Sequence, residues 1–306
     1  MRIKMLVYVV WAFVLALGVQ SCHQPDVLPE AVRYPILFGS TDSRSVATID
    51  DLKTEGFRVH AYFKGEGAAT FDQYVNYQEV NGQEIWALEN TEYWIPGATY
   101  WFKAFYPKDL AVDITINDGA SQSYSINDYD ITTQKDIMVA SPDALTVPVD
   151  GVAPNSGSVV DLNFQHLLAN VVVKIKAEIN VTIYDVALKF VPVKGSYTDG
   201  SWSCAATQGN VEMIGLNKAL NSSNNEFQDV TDGGFLVFPN SIGDAELYIR
   251  TSDKTYELPL PTTPNQWVAG NRYAYTLIIK QNDILFDEPT VEEWDEENAT
   301  GSVVIK

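Results

Sequence analysis

Cationic side chains, histidine and cysteine are scarce in this 306-residue chain, and each shortage excludes a class of function. Lys and Arg number 20 against 40 Asp and Glu, for a formal charge of −20. Such a surface repels nucleic acid and anionic lipid, because it lacks the cations that release counterions from phosphates. It favours solubility and slows nonspecific association. There are three histidines, His23, His60 and His166, and none has a local signature of a zinc centre or a nucleophile–base pair. The strings GxSxG, HExxH and CxxC, a phosphate loop and a Gly-rich dinucleotide turn are all missing. The sequence therefore implies no enzyme, no catalytic residue, no metal and no cofactor. Acidic residues are so abundant that a carboxylate pair of the glycosidase type cannot be judged by count.

Long apolar runs are equally scarce. The one present is Met5 to Val19, behind Arg2 and Lys4 and ahead of Val19-Gln20-Ser21-Cys22. A basic start, a short apolar core and a small-residue exit are the three parts of a secretory signal. The run is shorter than the ~20 residues a spanning helix needs. A cysteine at the cut site marks a bacterial lipoprotein, whose thiol takes a diacylglycerol and whose freed amine is acylated. Gln20 makes the signal a relaxed version. Residues 1–21 are thus the expected signal peptide, Cys22 the lipid attachment site, and 22–33 a polar tether. Several acyl chains suffice for stable membrane anchoring.

With Cys22 lipidated, Cys204 has no partner for a disulfide, and it reads as a small apolar residue in or near a strand. Helical periodicity is nearly absent. GFRVHAYF (56–63), TYWFKAFY (99–106), NVVVKIKAEI (170–179) and AYTLIIK (274–280) alternate apolar and polar residues, as half-buried strands do. Gly, Pro, Asn and Asp clusters separate them. The pattern predicts an all-β chain of sandwich type. A stretch with three prolines, 140–158, reads as a link between domains. This places a first domain over 34–152 and a second over 153–306. Segments 64–82 and 205–231 read as long surface loops. Asp118, Asp128 and Asp130 sit in a polar loop but lack a calcium-loop spacing, and they read as solvated acids.

The string Phe164-x-His166-x-Leu168-Ala169, running into a Val/Ile/Lys strand, resembles the fimbrillin family of Bacteroidetes lipoproteins. In order, YWIPGATYWFKAFYP (93–107), DIMVAS (136–141), WVAGNRYAYTLIIK (267–280) and VEEWDEENATGSVVIK (291–306) resemble further blocks of that family. The resemblance implies two tandem transthyretin-like (Greek-key) β-sandwich domains after a lipoprotein signal peptide. It implies a pilin that reaches the outer-membrane surface with its lipid attached and supports adhesion. A trypsin-like Arg/Lys-specific protease then removes a first strand, and a strand from another pilin subunit fills the groove.

Placed on this chain, the removable strand is Tyr34-Pro35-Ile36-Leu37-Phe38. Pro35 lacks an N–H and suits an edge or a strand start. The expected processing bond is Arg44–Ser45, in a small polar segment of the kind proteases nick. Arg33 is the second choice, although a cut there would leave the apolar run in place. Uncleaved anchor-type relatives leave open that neither is cut. The donor strand is expected within Val291–Lys306, with Val291, Trp294, Val303, Val304 and Ile305 as its apolar residues. An ordinary last strand is the alternative. Phe164 and His166 read as packing residues. A different class stays open: a surface lipoprotein binding glycan or a host ligand through Trp86, Trp94, Trp101 or Trp202.

Overall fold

The computed structural model describes residues 33–39, 49–80, 83–117, 122–150, 159–198, 200–281 and 283–294, with the backbone of 303–304. The signal peptide, Cys22, Arg44, Ser45, Asp118, the expected boundary at 152–153, Ile305 and the side chains of Val303 and Val304 lie outside the described residues. No helix among the described residues is long and apolar enough to cross a membrane.

The chain runs β1 (Leu37–Gly39), α1 (Ile49–Glu55), β2 (Phe57–Lys64), β3 (Ala68–Val80), β4 (Gln83–Leu88), β5 (Thr99–Tyr106), β6 (Asp113–Ile116), β7 (Gln122–Asp130), β8 (Met138–Ala140), β9 (Leu145–Thr146), β10 (Val160–Asp161) and β11 (Gln165–His166). It continues with β12 (Ala169–Ala177), β13 (Val181–Pro192), β14 (Lys194–Thr198), β15 (Ser201–Cys204), β16 (Gln208–Leu220), β17 (Gln228–Asp229) and β18 (Phe235–Val237). The last strands are β19 (Glu246–Thr251), β20 (Thr255–Pro259), β21 (Asn271–Ile279), β22 (Ile284–Phe286), β23 (Thr290–Glu293) and β24 (Val303–Val304). The protein is all-β, as the alternating sequence predicts.

The first sheet has the order β10-β1-β4-β3-β2-β5-β8-β11, with β9 on β5. Strands β1 and β5 stand four places apart, about 19 Å in a flat sheet. Yet the Phe38 and Phe102 rings meet at 5.5 Å. The sheet therefore folds over its own apolar face, and strands from both ends share one core of Phe38, Phe57, Phe102, Met138 and Val160. Leu52 of α1 adds to it.

The second core lies between the sheet β17-β12-β21-β23-β24 and the sheet β16-β13-β19-β20. Strands β12 and β21 pair in parallel from Asn170↔Arg272 to Ala177↔Ile279. Their Val171, Val173, Ile175, Tyr275 and Leu277 join Ile183, Val186, Leu188, Leu247 and Ile249 of β13 and β19 in one cluster. A fourth sheet, β15-β14-β7-β6, pairs a hairpin from the first half of the chain with one from the second.

Two expected loops are strands. β3 was hidden because its inward positions Phe71, Gln73, Val75 and Tyr77 include an amide, while outward Tyr74 is an exposed aromatic. Its outer face is instead held by polar contacts, such as Arg58 Nε donating to Asp72 Oδ1 at 2.6 Å. β16 was hidden because Ile214 is 74% exposed and Gly215 and Asn217 take positive φ. Opposite it, β13 shifts register between Ile183 and Asp185, and again between Lys189 and Val191.

Helix α1 stops where Gly56 at φ +72 donates its N–H to Leu52 O. A Cβ there would sit 2.5 Å from the Val75 carbonyl oxygen. The left-handed conformation and the backbone clash act together. Gly56→Ala is expected to lower stability by about 2–3 kcal/mol, read from the urea midpoint at unchanged slope.

Candidate functional site

Strand β1 is short, but it sits inside the first sheet. It pairs antiparallel with β4 through Leu37↔Ala87 and Phe38↔Trp86, and parallel with β10 through Phe38↔Val160 and Gly39↔Asp161. The residues before it extend the contact. Ile36 N–H donates to Glu92 O at 2.8 Å, and Trp94 N–H donates to Tyr34 O at 3.0 Å. Pro35 forms an isolated bridge with Tyr93 just ahead of the strand. It thus enters where the missing N–H is tolerated.

Alternation decides what β1 buries. Ile36 is 2% exposed and Phe38 is fully buried, whereas Tyr34 and Leu37 are half-buried. Phe38 meets Phe57 and Phe102 edge-on, and Phe57 meets Phe164 at 5.2 Å. The strand fills the centre of an aromatic cluster. Burying its two inward side chains contributes about 3–6 kcal/mol. Its fit is close: a Cβ on Gly39 would lie 2.6 Å from a methyl of Val159.

The other end of the chain is built into the second core. β23 pairs with β21 from Asn271↔Glu293 to Ala274↔Thr290. The backbone of β24 adds at its outer side through Thr290↔Val304 and Val291↔Val303. Val291 is half-buried against the second core. Trp294 is 4% exposed and donates its backbone N–H to Gly270 O. Its indole stacks on the His166 ring at 4.0 Å and 14°. His166 Nδ1 lies 2.5 Å from Asp136 Oδ2, and β11 pairs His166 with Met138 of β8. Residues 136, 166 and 294, unrelated in sequence, thus form one buried stack that ties the C-terminal strands to the first sheet. No local pattern could have found it.

The junction beside this stack is acidic. Asp51, Glu55, Asp136 and Asp232 line a pocket of about 480 Å³ with Trp294 and Tyr106. Tyr106 Oη donates to Glu55 Oε2 at 3.2 Å. Burial, then the charges of Glu55, Asp51 and Asp136, hold its phenol above the usual tyrosine range.

The remaining candidates have structural partners. Asp130 caps the short 3-10 helix Ile131–Thr133. The Thr132 hydroxyl and backbone N–H, bonded to it, hold its carboxyl below the usual range. Asp128 lies within β7 rather than in a loop, at φ 50 where the pairing with β14 shifts register, and its backbone N–H donates to Ser196 Oγ at 3.1 Å. Among the described residues, no cluster of three or more His, Cys, Asp or Glu could hold a metal ion. His60 Nδ1 lies 2.7 Å from Gln122 Oε1. Cys204 is half-buried, and burial raises its thiol pKa. Trp86 and Trp94 belong to the first core, and Trp101 leans on Tyr62 at 5.6 Å.

One sheet folded over its own core and two further sheets enclosing a second core make a paired β-sandwich, with a strand buried near the N-terminal end and strands added at the C-terminal edge. The fimbrillin-like family model matches residues 46–294, and the chain belongs to that family. No curated protein matches it. Among solved structures, a candidate cell adhesion protein of Bacteroides ovatus is 17% identical at a TM-score of 0.56, covering 87% of this chain and 100% of that one. A candidate cell adhesion protein of Bacteroides uniformis is 18% identical at 0.53, covering 87% and 99%. The tip fimbrial protein Mfa3 of Porphyromonas gingivalis, truncated at its C-terminus, is a looser likeness at 10% identity and 0.42, covering 86% and 100%. At these identities the likeness is one of fold.

Two substitutions separate the two ends. Phe38→Ala should lower stability by about 3–5 kcal/mol and speed amide exchange in β4 and β10. Trp294→Ala should speed exchange in β23 while leaving β1 and β4 protected. Exchange mapped by peptide mass reads both.

Proposed function

We propose that this chain is a structural subunit of a surface fimbria that supports cell adhesion. In this reading it is exported as a lipoprotein on Cys22, carried to the outer-membrane surface, and assembled by strand exchange after proteolysis. The observation that carries the reading is the seating of β1 between β4 and β10, with Ile36 and Phe38 filling the first core. Its removal would leave unpaired N–H and C=O groups on two neighbours and an apolar trench in the core. A donated strand replaces both, which is β-augmentation.

A cut at Arg44–Ser45 frees β1 and the tether together, and the family match begins just beyond it, at residue 46. The donor in this reading lies within Val291–Lys306; Val291 and Trp294 are packed on the chain's own second core, so Val303, Val304 and Ile305 are the apolar side chains it offers. Val291 and Trp294 serve as its mount. The partners are other pilin subunits and a trypsin-like protease specific for Arg or Lys. The two sandwiches are transthyretin-like units in tandem, with β10 and β11 returning to the first. Such a role is mechanical, and it uses no cofactor. An uncleaved basal anchor would retain β1 and offer only its tail.

Limited trypsin treatment of the soluble form from His23 onward tests this. The expected product begins at Ser45 and grows into SDS-resistant multimers, and Arg44→Ala abolishes both. A product that loses β1 cleanly and stays monomeric overturns the exchange reading. A chain that stays uncut and monomeric overturns the shaft-subunit reading.

A further inference from the structure

A second cleft, of about 650 Å³, opens beside the β14–β15 hairpin and is lined by residues of the second half of the chain. Its accessible aromatic surface comes from Trp202, backed by the buried rings of Tyr197 and Trp267, and its polar groups come from Asn240, Ser241 and Gln266. Trp202 is half-buried against the second core and firmly held. Its Nε1 donates to Leu167 O at 2.7 Å, and Phe238, which does not line the cleft, packs against the indole at 4.7 Å. Trp267 is 2% exposed and is fixed by donating Nε1 to Tyr275 Oη at 3.3 Å. Ser241 and Gln266 are exposed and face each other across an isolated bridge.

We propose that this cleft binds an uncharged sugar unit of a glycan. A hexose ring presents an apolar C–H face and a rim of hydroxyls that both donate and accept. Its recognition calls for a rigid aromatic surface beside amide and hydroxyl side chains, and those are the groups assembled here. The volume falls in the range of ligand pockets. Charge decides against other ligands. One residue in five of the chain is charged, yet the cleft lining contains no Asp, Glu, Lys, Arg or His. An ionic ligand finds no counter-charge, and an anionic one also meets the field of a chain at −20. A purely apolar ligand would strip water from the amide and hydroxyl rim without replacing its hydrogen bonds. None of the lining residues belongs to β1, β23 or the tail after Trp294. The site therefore stands whether or not the chain polymerises.

The test is saturation-transfer NMR and calorimetry on the soluble chain with lactose, maltose, cellobiose and mannobiose, and with sialyllactose as the anionic counterpart. At least one neutral disaccharide is expected to bind with a Kd on the order of 1 mM, ahead of sialyllactose. Trp202→Ala should weaken that binding at least about tenfold. Because Trp202 also packs against Tyr197 and Phe238, the second variant is Ser241→Arg, an exposed position where a long cation blocks the mouth. It should abolish binding at unchanged melting temperature. No binding by any of the four neutral sugars, unchanged binding in Ser241→Arg, or preference for sialyllactose would overturn the proposal.

Discussion

The structure depends on a wall that serves two cores at once. Strand β5 sends Tyr100, Phe102, Ala104 and Tyr106 into the first core and Phe105 into the second. Strand β8 does the same, with Met138 and Ala140 on one side and Val139, joined by Ile137 just ahead of the strand, on the other. β8 is buried on both faces, and β5 along its first-core face and at Phe105 on the other, so both cores draw on the same two strands. The pairing of β7 with β14 and of β11 with β8 then follows, because residues beyond the wall must satisfy their backbone groups against strands already in place. Tyr34–Lys306 accordingly forms one compact unit that holds both cores.

This coupling bears on the ends of the chain. The Asp136–His166–Trp294 stack starts from the loop before β8, runs through β11 and ends on the C-terminal edge strands. The mount of the tail is therefore fixed to the same wall that frames the first core. Strand β1 lies elsewhere in that core, against Phe57 and Phe102, and contributes side chains no neighbour can replace. A fold can lose such a strand and keep its shape only if most of the core is held independently. The β2–β3–β4 ladder, the β2–β5 pairing and the shared wall provide that hold without using β1.

Strands were legible where one face is buried and the other wet. Phe57–Lys64, Thr99–Tyr106 and Ala169–Ala177 show alternation or near-continuous apolar runs because packing selects every second residue, or all of them. β3 and β16 were not, because solvent tolerates Tyr74 and Ile214 on the outer face and the inner face tolerates Gln73. The apolar run at Tyr34–Phe38 was legible as a buried strand, but its place between β4 and β10 was not. Pairing partners some 50 and more than 100 residues away leave no mark on a local pattern. The stack on Trp294 was hidden for the same reason, and His166 was visible only as a histidine among apolar neighbours.

The symmetry of the proposed assembly follows from where the two elements lie. The slot of β1 belongs to the first core, and the tail leaves from the edge of the seven-stranded sheet of the second. A contact between the tail of one copy and the slot of another joins different surfaces, so it is heterologous and satisfies neither partner's remaining element. Each addition leaves one vacant slot or one unused tail. In such an assembly growth would continue in one direction unless a rotation closed it. While β1 remains in place between β4 and β10 the slot is filled in cis, and in the proposed assembly the tail would find no receptor. The covalent link through the segment containing Arg44 would therefore be the lock, and a bond cut once outside the cell would set both the timing and the direction of assembly.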